Sequence, residues 1–77
     1  MASKSNEEAI LQEAVAGISR VAKAIASLPV GDRSRAFEAV ERSYRETARN
    51  LGFAEGQASG WAASLVVRLR AEVAALV

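Results

Sequence analysis

The stretch that decides the fold is Gly56-Gln57-Ala58-Ser59-Gly60-Trp61-Ala62-Ala63-Ser64-Leu65-Val66-Val67-Arg68-Leu69-Arg70-Ala71-Glu72-Val73-Ala74-Ala75-Leu76-Val77. Its polar residues are only Gln57, Ser59, Ser64, Arg68, Arg70 and Glu72. Bulky groups recur every three or four places at Ala58, Trp61, Ala62, Leu65, Leu69, Val73 and Leu76, the period of one helical face. On the opposite side a second stripe is built from small groups: Gly56, Gly60, Ala63, Val67, Ala71 and Ala74. A surface helix normally hides one stripe and shows water a charged face. Two apolar faces call for two coverings. Gly60 also costs about 1 kcal/mol against alanine inside a helix. Close approach of another helix backbone would offset that cost, because small residues let axes come near.

Upstream, two short breaks separate two further helices: Leu28-Pro29-Val30-Gly31-Asp32 and Asn50-Leu51-Gly52-Phe53. Pro29 has no backbone donor, and it restrains the residue before it. Gly52 suits the left-handed position that ends a helix, with Phe53 packing back on Ala48. The first helix is expected over about residues 7–28, with Ser5 as N-cap and Glu8 completing a capping box. Its seam is Leu11, Ala14, Ile18, Val21, Ile25 and Leu28. The second is expected over about 33–51, capped by Asp32. Its stripe is Phe37, Val40, Tyr44, Ala48 and Leu51. Its outer face carries the acid-first pairs Glu38–Arg42 and Glu41–Arg45. The third is expected over about 55–76. Breaks this short make neighbouring helices antiparallel. The fold expected is an all-α, up-down-up three-helix bundle, one domain over 1–77. A dimer with interleaved helices is the alternative arrangement.

Composition narrows the function. The chain has 77 residues, no cysteine and no histidine. A domain this small buries only roughly 60% of its unfolded surface. Disulfides cannot reinforce it, and a structural zinc site is not expected. Oligomerisation is the remaining common support. Disorder is disfavoured by 51% hydrophobic residues with a net charge of +1. Catalysis is not expected, since acid–base and nucleophilic chemistry draw mostly on His, Cys or carboxylates in a cleft. Gly56-x-x-x-Gly60 lacks the lysine of a phosphate loop. No cofactor and no metal is expected. No run reaches 18 apolar residues, so no membrane partner is expected. A cytoplasmic location is expected, and the opening methionine reads as the start of a complete small protein.

The segment from Thr47 to Trp61 resembles a helix-turn-helix. Ala48, Gly52, Phe53, Ala58 and Trp61 stand at the small, glycine and apolar positions of that corner. The resemblance implies a DNA-binding regulator using the second and third helices. Independently of that resemblance, Arg35, Arg42, Arg45 and Arg49 form a stripe on the second helix whose guanidinium forks suit phosphate, an acidic partner or nucleic acid as anion contacts. The pattern departs at Ala54, where repressors carry serine or threonine. The would-be reading face is Glu55, Gly56, Ser59, Gly60 and Ala63, with no cation before Arg68. Mixed-sign helix faces usually just meet solvent. The favoured expectation is therefore a non-enzymatic protein–protein interaction module, a small self-associating adaptor or regulator. Its partner is a second copy, as a homodimer, or another helical protein. Gly56, Gly60, Ala63, Val67, Ala71 and Ala74 would form its interface. The unbroken seam of the first helix is the alternative interface. Phe37, Tyr44, Phe53 and Trp61 are expected in the core.

Overall fold

A computed structural model describes residues 2–77, with side-chain environments from residue 8 onward. It is an all-α bundle: α1 (Ala2–Ala16), α2 (Ile18–Ala26), α3 (Val30–Asn50) and α4 (Glu55–Leu76). No strand occurs among the described residues. The first helix of the sequence reading is thus broken into α1 and α2 at Gly17. Hydrogen bonds still run through the break: Gly17 N–H donates to Glu13 O at 2.8 Å, and Val21 N–H to Gly17 O at 3.1 Å. What changes is the dihedral. Gly17 has ψ −7°, against about −42° in a regular helix. The ladder survives while its path turns. Ser5, expected as a cap, falls inside α1; its side chain lies outside the described residues.

The α2–α3 corner also differs from expectation. Pro29 is the N-cap, extended at ψ 146°, and α3 begins at Val30, not Arg33. Asp32 therefore lies in the first turn and makes no side-chain cap bond. The reason is that Val30 and Gly31 occupy positions whose N–H groups need no intrahelical partner. Proline before them starts the helix by itself. Asp32 still places negative charge at the positive end of the macrodipole. The cap that the corner does have comes from the other side. The half-buried Arg33 donates through Nη2 to Ala26 O at 3.0 Å and through Nε to Leu28 O at 3.2 Å. It satisfies the loose carbonyls at the end of α2.

The α3–α4 corner follows the sequence closely. Gly52 has φ +94°, Gly52 N–H donates to Arg49 O at 2.9 Å, and Phe53 N–H donates to Ala48 O at 3.0 Å. This pair of bonds is the Schellman stop. Ala54 is the N-cap of α4 and offers no side-chain acceptor. Gln57 Oε1 accepts the Ala54 N–H at 3.3 Å, supplying half of a capping box. Across the corner, Tyr44 meets Trp61 edge-on at 5.9 Å and Arg70 lies 4.4 Å over the Phe37 ring. Those pairings fix α3 and α4 as antiparallel.

Packing centres on α4. Both α2 and α3 lie against it, and they touch each other little. Its buried residues are Ala58, Ala62, Leu65, Val66, Leu69 and Val73. Ile18, Ala22 and Ile25 come from α2, and Phe37, Tyr44 and Ala48 from α3. Two details correct the expected stripes. Ala22 is fully buried, while Val21 is only half-buried and Leu28 exposed. Val66 is buried, while Leu76 is 49% exposed. The α4 shift follows from that helix being covered on two adjacent faces, so its core arc is wider than one stripe. Phe53 and Trp61 are half-buried.

The Tyr44 hydroxyl is buried without a hydrogen-bond partner, and burial pushes its phenol above the usual range. Tyr44→Phe removes an unsatisfied donor and keeps the ring. Chemical denaturation should show stability unchanged or raised by up to about 1 kcal/mol. Arg33→Ala should lower it by about 1–2 kcal/mol, since two carbonyls lose charged donors; the midpoint should fall while the denaturant slope holds.

Candidate interaction surface

The six small-stripe residues share one side of α4, with Ala71 at its edge facing the α1–α2 junction. Gly56, Gly60, Ala63, Val67, Ala71 and Ala74 are each exposed, with Val67 at 67%. The chain itself therefore leaves this ridge uncovered. A Cβ built on Gly56 or Gly60 would meet nothing within 4 Å. Neither glycine is required by the fold of a single chain: each lies inside the helix, with open space beside it. Their cost in helix propensity has no offsetting contact within the chain.

The arginine stripe is arranged differently. Arg35 and Arg42 are exposed, and Arg45 is half-buried. Arg49 reaches across the corner and donates to Glu55, the only ion pair closed among the described residues. The expected pairs Glu38–Arg42 and Glu41–Arg45 are not closed. Their spacing permits contact, but exposed pairs gain too little to fix two long side chains. The hydrogen bond from Arg49 holds the Glu55 carboxyl below the usual carboxylate range; desolvation opposes this, and the charges of Arg49 and Arg45 add to it. The same bond raises Arg49. A lowered carboxylate pKa favours the fold above the unfolded value and loses that effect as pH falls through the folded one. Both side chains are exposed, so this pair guides the corner more than it stabilises the protein.

Chemistry-bearing clusters are scarce. No group of three or more His, Cys, Asp or Glu side chains is placed to hold a metal among the described residues. No described helix is long and apolar enough to cross a membrane. An open cleft of about 430 Å³ lies where the α1–α2 junction faces α4, lined in part by Val15, Ile18, Arg68 and Ala71. No local spacing in the sequence signals this cleft, because its walls are some fifty residues apart. Comparison with known proteins finds no family model, curated protein or solved structure that matches the chain.

Open space at Gly60 makes its substitution informative. In dilute solution Gly60→Ala should raise stability by about 0.5–1 kcal/mol, read from thermal melts, because the methyl meets no atom and the helix gains propensity. If another helix abuts this ridge, the same methyl should weaken association at high concentration.

Proposed function

We propose that this chain is a small, non-enzymatic protein–protein interaction module that self-associates as a homodimer through the exposed ridge of α4. The observation that carries the reading is the uncovered Val67 at 67%, in a row where every neighbour is glycine or alanine. A helix already packed on two faces keeps a third face apolar, shallow and continuous. Single exposed alanines need no explanation, but a continuous apolar row on one face is what association surfaces present. Gly56, Gly60, Ala63, Val67, Ala71 and Ala74 form the contact. The small side chains allow a second helix axis to come close. A second copy supplies such a helix without any further partner, and a two-fold pairing uses the same ridge twice.

The non-enzymatic part of the reading is supported by residue types: the chain has no His and no Cys, the groups that most often carry acid–base and nucleophilic chemistry. A cytoplasmic location accompanies it on composition alone. The helix-turn-helix alternative draws its support from the Gly52 corner. It is less favoured, because Arg49 is engaged by Glu55 and the first turns of α4 present glycine and alanine where base-reading side chains would stand.

Ala63→Glu with Ala71→Glu tests the surface, since both residues are exposed and the helix tolerates glutamate. Sedimentation of the wild type should give a mass above one chain that rises with concentration. The double variant should stay folded by circular dichroism and sediment as one chain. Equal masses for the two proteins would remove the assignment.

A further inference from the structure

No further inference is drawn: the strongest candidate, the open cleft where the α1–α2 junction faces α4, carries Glu72 as well as Arg68 and is already walled by Val15 and Ala16 of α1 itself, and nothing in the structure shows what covers it.

Discussion

Everything in this structure depends on α4 being thin enough to be approached from two sides at once. Ala58 and Ala62 are fully buried, and Leu69 is the largest side chain that is completely enclosed. Alanine at the crossing points lets α2 and α3 come close to the same helix, and leucine fills the space between. A bundle of this size has no spare layer, so each enclosed methyl matters. Truncating an enclosed leucine to alanine costs about 2–5 kcal/mol in well-packed cores, a large share of the total stability of a small domain. The same thinness on the third side leaves the ridge with nothing to cover it. Core and surface thus share one compositional origin, a helix rich in glycine and alanine.

Much of this was legible in the sequence. Residue type fixes the left-handed stop at Gly52, because φ +94° is open to glycine at little cost. The bulky stripe of α4 follows from helical period, and so does its small stripe. The break at Gly17 was not legible, since Ala14, Ile18 and Val21 keep the helical spacing across it. Periodicity reports which residues share a face; it does not report a ψ of −7°. Arg33 is a similar case. Its bonds to Ala26 O and Leu28 O join groups five and seven residues apart around a proline corner, and no spacing rule signals them. Ala22 replaced Val21 in the core because α2 leans on α4 with little contact to α3, which rotates the buried arc away from an ideal bundle seam.

The site divides along the same line. That the ridge is exposed could be anticipated, because a chain of 77 residues cannot wrap a helix completely. The cleft beside it could not, because Val15 and Ala71 meet only once α2 has docked. The arginine stripe shows the opposite limit. Spacing offered two intrahelical pairs, yet the pair that closes joins Arg49 to Glu55 across a turn. Backbone geometry at Gly52, more than the helical wheel, chooses the partner.

The stop at Gly52 has a kinetic side. It joins α3 to α4 through four residues, Leu51 to Ala54, so the largest helix–helix interface closes a very short loop. Closing a short loop sacrifices little chain entropy, and contacts near in sequence form fast. The α3–α4 hairpin is therefore the natural nucleus, with α2 condensing onto it afterwards and α1 last. Refolding chains would pass through a stage in which a two-helix hairpin forms before its third rod docks.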